Sequence, residues 1–141
     1  MRKMVNFVHF YFGDADETFY TGIGTAIRAL GHGKKVQVIL TDKKFYWVEK
    51  ISTETDDFRI FKLKTKNDIN FLKEIINSSE QELILISDID LLIQNNWITA
   101  EHLKDIVLKL KEKKEVIITS MSFYKSIANI ADYCSHFSKE G

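Results

Sequence analysis

Leu83-Ile84-Leu85-Ile86-Ser87-Asp88-Ile89-Asp90 is the stretch from which the fold can be read. The aliphatic run Leu83 to Ile86 is short enough for a central strand of a parallel sheet, buried on both faces. It ends at Ser87-Asp88-Ile89-Asp90, polar enough to mark the carboxyl end of such a strand. Working outward, Val116-Ile117-Ile118-Thr119 and Val36-Gln37-Val38-Ile39-Leu40 read as strands too. So does Val5 to Phe12, stopping at Gly13, and Phe58 to Leu63 reads as a further short strand.

Between these runs the period changes. Phe19, Ile23, Ala26, Ile27 and Leu30 share one helical face, and Gly31 and Gly33 end it. Ile69, Leu72, Ile75 and Ile76 form a second such face, with Asn67 as the expected N-cap. A third helix starts near Thr99 and buries Leu103, Ile106, Val107 and Leu110. Ile127, Ile130, Ala131 and Cys134 predict a last helix with Cys134 in the core. Residues 42–57 are the least regular, and their cluster Phe45-Tyr46-Trp47 is expected beneath that segment or against a flat ligand or a dimer partner. Alternating strands and helices predict an α/β fold, a mostly parallel, Rossmann-like sheet with helices on both faces. No linker, repeat or low-complexity tract divides residues 1–141, so a single domain is expected.

Twenty basic and twenty acidic residues cancel to a formal charge of zero, which argues against bulk capture of nucleic acid or an anionic membrane. A single cysteine forms no internal disulfide and suits a reducing, cytoplasmic location. No apolar stretch approaches the ~18 residues of a membrane span. The histidines are widely spaced and show no metal signature. Lys109, Lys111, Lys113 and Lys114 read as a solvated helix end.

In open α/β sheets ligands bind at the carboxyl ends of the strands. Both candidate positions here are acidic: Asp14, Asp16 and Glu17 after the first strand, Asp88 and Asp90 after the Leu83 strand. A helix N-terminus attracts phosphate and carboxylate alike, so capping accounts for Asp16 and Glu17. Asp88 and Asp90 read either as strand-end acids facing water or as functional groups. Hard cations prefer carboxylate oxygens, which makes Asp14, Asp16, Asp88 and Asp90 candidates for a divalent metal site.

The segment Gly24-Thr25-Ala26-Ile27-Arg28-Ala29-Leu30-Gly31-His32-Gly33-Lys34-Lys35-Val36 resembles the first helix, and its exit, of the P-loop ATP:corrinoid adenosyltransferases. Counting back from it places Gly13 and Asp14 on the first positions of that family's phosphate loop, Gly-Asp/Asn-Gly-Lys-Gly-Lys-Thr-Thr. Leu83 to Ile98 is similar to the family's strand ending in Asp-Glu-Leu-Asn, with Asp88 on the glutamate and Ser87 in place of the aspartate. Val116 to Tyr133 is similar to its strand ending in Thr-Gly-Arg and its helix ending in Ala-Asp. There Thr119, Ala131 and Asp132 match, while Ser120 and Met121 replace Gly and Arg. The resemblance implies a three-layer P-loop-NTPase-like fold, a transferase using ATP, Mg²⁺ and a corrinoid, Asp88 as the candidate catalytic carboxylate, and a homodimer.

The loop departs from that pattern. Gly-Lys-Gly-Lys-Thr has become Ala15-Asp16-Glu17-Thr18-Phe19, so Thr18 replaces the phosphate-binding lysine and Phe19 the Mg²⁺-binding hydroxyl. At about 4 Å and an effective dielectric near ~20, each repulsion between a carboxylate and a phosphate costs about 4 kcal/mol. Micromolar affinity amounts to about 8 kcal/mol, so Asp16 and Glu17 are enough to erase it. Standard ATP binding is therefore expected to be lost. The readings left open are a diverged member binding a corrinoid or a partner protein, an active adenosyltransferase with an unusual ATP pose that uses Asp88 and Asp132, and a metal-dependent protein built on the acidic loop.

Overall fold

The computed structural model describes residues 6–41 and 46–138. Its strands are β1 (Val8–Gly13), β2 (Val36–Leu40), β3 (Phe58–Lys62), β4 (Leu83–Ile86), β5 (Glu115–Ser120) and β6 (Tyr133–Phe137). Its helices are α1 (Ala15–Gly31), α2 (Tyr46–Glu54), α3 (Asn70–Glu74), α4 (Asp90–Gln94), α5 (Ala100–Lys111) and α6 (Lys125–Ala128). Every strand pairing is parallel, and the order across the sheet is β3-β2-β4-β5-β1-β6.

Because side chains alternate across a strand, apolar runs feed two cores. Leu83 and Leu85 face the core built on Phe19, Ile23 and Ala26 of α1, with Val48 of α2. Ile84 and Ile86 face the other, built on Leu72 of α3, Leu92 of α4, Leu103, Ile106 and Val107 of α5, and Ile127 of α6. The result is the three-layer, Rossmann-like α/β arrangement that the strand and helix alternation predicts. Gly22 brings α1 close to the sheet: a Cβ there would meet Leu85 Cδ1 and Thr119 Cγ2, both at 3.1 Å. No helix among the described residues is long and apolar enough to cross a membrane.

Several local expectations are corrected. The expected final helix stops at Ala128, and residues 133–137 form the edge strand β6 against β1. Ile127 is buried and Ile130 and Ala131 pack on the core, but the helical period ends there. Cys134 is consequently an exposed strand residue, not a core one. The irregular segment contains α2, anchored by buried Val48; Phe45 lies outside the described residues, and Trp47 is exposed. The helical turn after β3 is capped at Thr65 rather than Asn67, with the Asp68 carboxylate accepting from the Lys64 and Thr65 amides at 2.7 and 2.8 Å. Lys114 is no solvated residue either. It is 1% exposed and donates to the carbonyls of Ser78 and Gln81, and burial lowers its pKa.

The strand order also bears on where a ligand crevice can open. β1 sends the chain through α1 on one face to β2, whereas its neighbour β5 sends it through α6 on the other face to β6. Adjacent strands whose connections leave on opposite faces open a crevice at their carboxyl ends.

Candidate functional site

That crevice is lined by Ala15, Thr18 and Phe19 from α1, Ser87 and Asp88 after β4, and Thr119, Ser120 and Met121 at the end of β5. Its free volume is about 10 Å³, room for roughly one water molecule.

The reason lies in the turn from β1 into α1. Gly13 ends the strand, Asp14 caps the helix, and Ala15 already belongs to it. Asp14 Oδ2 accepts from the amides of Asp16 and Glu17 at 3.1 and 3.0 Å, and the Asp14 carbonyl accepts from Thr18 N at 3.0 Å. A helix start normally offers these amides to an anion; here the chain supplies its own. The capping residue is therefore Asp14, and Asp16 and Glu17 are exposed in the first turn. Thr18 and Phe19 are helical and buried, and the Thr18 hydroxyl donates to the Ala15 carbonyl at 3.2 Å. Asp14 N donates to the Phe137 carbonyl at 2.8 Å, which ties the turn to β6. Gly13 makes the turn possible with φ +124, and a Cβ at that position would lie 2.0 Å from Phe137 O.

A second set of amides is filled the same way. Asp90, only 4% exposed, accepts from Met121 N at 2.6 Å, Ser122 N at 3.2 Å and the Tyr124 hydroxyl at 2.9 Å. The Tyr124 pKa is pushed up to about 12, first by burial and then by its hydrogen bond to this carboxylate. Asp90 thus does not face water; it organises the loop after β5.

A model of the ATP:corrinoid adenosyltransferase BtuR/CobO/CobP family matches residues 37–140. The chain belongs to that family. The match begins inside β2, so β1 and the self-capped start of α1 lie before it. None of the curated proteins compared with the chain matches it.

In this corrinoid adenosyltransferase family member, the acids singled out by sequence do not share one centre. Among the described residues no group of three or more His, Cys, Asp or Glu side chains is placed to hold a metal ion. Asp14 is turned onto its own helix and Asp90 onto the β5 loop. Asp88 lines the crevice in a left-handed conformation, φ 57, and its amide donates to Thr119 Oγ1 at 2.9 Å. Asp132 lies at the other end of the sheet, where it accepts from Val8 N at 2.8 Å and pairs with Lys111 at 3.1 Å. Val8 and Gly13 open and close β1, so about 16 Å of strand separates Asp132 from the crevice.

The structure adds a feature that no sequence signal revealed. On the face of the sheet opposite α1, Phe12 stacks on His136 with ring centroids 4.9 Å apart, and Phe123 lies 5.1 Å from the same Phe12 ring. Phe123 and neighbouring Met121 are 55% and 58% exposed. Phe12 and His136 are register partners in β1 and β6, a relation hidden as long as residues 133–137 are read as helix.

Proposed function

We propose that this family member binds a corrinoid and has lost the standard ATP site, acting in corrinoid handling and not in adenosyl transfer. The observation that carries this reading is Asp14 Oδ2 on the amides of Asp16 and Glu17. A triphosphate approaching α1 would have to displace that carboxylate, lie beside Asp16 and Glu17, and do so without the lysine and hydroxyl of the resembled loop. Each such repulsion costs about 4 kcal/mol before screening. Asp90 closes the other set of amides at the crevice in the same manner.

Support for the corrinoid half comes from exposed Phe123 beside the stacked Phe12 and His136, with exposed Met121 two residues away in the same loop. A macrocycle with broad apolar faces suits such a surface, since aromatic and thioether side chains gain by covering flat apolar area. The residues fit contact with a corrin ring; they offer nothing that fits a polyphosphate.

Isothermal titration of the full chain tests both halves separately. Mg²⁺-ATP is expected to give no binding heat, while cobinamide binds. Tight ATP binding would remove the first half, and absence of corrinoid binding the second. An anaerobic assay with cob(I)alamin and ATP adds a third measure, in which no adenosylated product is expected.

A further inference from the structure

We propose that His136 is an axial ligand to the cobalt of a bound corrinoid, an assignment that rests on the corrinoid-binding reading above. Neutral imidazole is the commonest metal-binding side chain, and it needs a free ring nitrogen and a fixed plane. His136 meets both conditions. Its side chain is exposed on the edge strand β6, and among the described residues neither ring nitrogen is engaged in a hydrogen bond. Stacking on Phe12, 4.9 Å between centroids and 21° between planes, sets the orientation of the ring.

The surroundings suit a planar ligand that presents a metal at its centre. Phe123, 55% exposed, approaches the same Phe12 ring at 5.1 Å, so an exposed apolar side chain accompanies the ring on which the imidazole stacks. The other histidines lack this combination. His9 Nε2 is engaged by Glu115 at 2.8 Å near the amino ends of the strands. His32 caps the far end of α1, and His102 lies in the first turn of α5. None of the three is stacked beside an exposed Phe or Met as His136 is.

The assignment has a chemical consequence for the family reaction. Adenosyl transfer uses cobalt in its lowest oxidation state, which sheds axial ligands, whereas an imidazole ligand favours the higher states. His136 would thus hold the corrinoid in a form suited to carriage or storage.

The decisive experiment uses cob(II)inamide, which carries no nucleotide base, so any nitrogen ligand on its cobalt must come from the protein. Electron paramagnetic resonance of the anoxic complex is expected to show each cobalt line split into a nitrogen triplet. His136→Ala is expected to keep cobinamide binding within about tenfold, since the apolar contacts remain, and to lose the splitting. His102→Ala is expected to keep it. Circular dichroism of each variant confirms that the sheet is intact. Binding without a triplet in the unaltered chain, or a triplet that survives in His136→Ala, would overturn the assignment while leaving corrinoid binding in place. No uptake of cobinamide at all would overturn both.

Discussion

The Tyr124 hydroxyl donates to Asp90 Oδ1 across 2.9 Å, joining the loop after β5 to the first turn after β4. The same carboxylate also holds the Met121 and Ser122 amides. Asp90→Ala leaves those donors without their acceptor. Unmet buried donors cost roughly 1–3 kcal/mol each, with partial relief from water, so a loss of about 3 kcal/mol is expected. Chemical denaturation read by tryptophan fluorescence checks it.

Tyr124 gives the fold an alkaline dependence. Its pKa is raised from the usual 10.0 to about 12 by burial and by the Asp90 hydrogen bond. A pKa raised on folding means stability that is complete below the unfolded value and fades as pH climbs through the folded one. The contribution should therefore disappear between about pH 10 and 12. Tyr124→Phe is expected to be about 1 kcal/mol less stable at neutral pH and to show a flatter stability curve over that alkaline range. Equal slopes for the two proteins would count against it.

Asp132 works in the opposite direction. Its pKa is lowered, chiefly by the Val8 amide; burial opposes this, and the hydrogen bond and charge of Lys111 add to the lowering. The stability it supplies is present above the ordinary carboxylate value and lost as pH falls through the depressed one. Asp132→Asn should be less stable at neutral pH and should lose less on acidification than the parent. Melting temperatures recorded from neutral to strongly acidic buffer provide the comparison.

How much of this was legible in the sequence depends on the kind of signal. Leu83 to Ile86 and Val36 to Leu40 are buried at every position, and runs that are aliphatic throughout, or at all but Gln37, announce such strands directly. The helical faces of α1 and α5 were equally plain from their period. β6 was not, because Tyr133-Cys134-Ser135-His136-Phe137 is a half-exposed edge whose identity depends on pairing with β1. At the site, carboxylates could be located but not their direction. Asp14 and Asp90 turn inward onto backbone amides, a choice made by loop geometry that residue type alone does not encode.

Gly13→Ala is expected to be the most disruptive small change near the crevice. The added methyl would need to occupy space 2.0 Å from Phe137 O, at a backbone φ of +124 that side chains rarely adopt. Strain of this kind costs about 1–3 kcal/mol, and the overlap with a carbonyl adds to it. A melting temperature lowered by at least ~10 °C is expected, with faster exchange of the Asp14 amide as β6 is pushed away.

Asp14→Ala removes one helix cap and should cost about 1 kcal/mol. Asp14→Asn should recover most of that, since its amide oxygen can still accept from the first-turn donors. Thermal denaturation of the two variants side by side distinguishes capping from a need for charge.

β1 pairs only with strands formed by residues more than a hundred positions further along, as Val8 with Val116 and His9 with Tyr133. While the polypeptide is being made, β1 therefore lacks these two partners until β5 and β6 have emerged from the ribosome. Pairings so distant along the chain are slow to form and leave apolar segments uncovered meanwhile. Val8 and Phe10 would then be natural points of contact for a chaperone on the nascent chain.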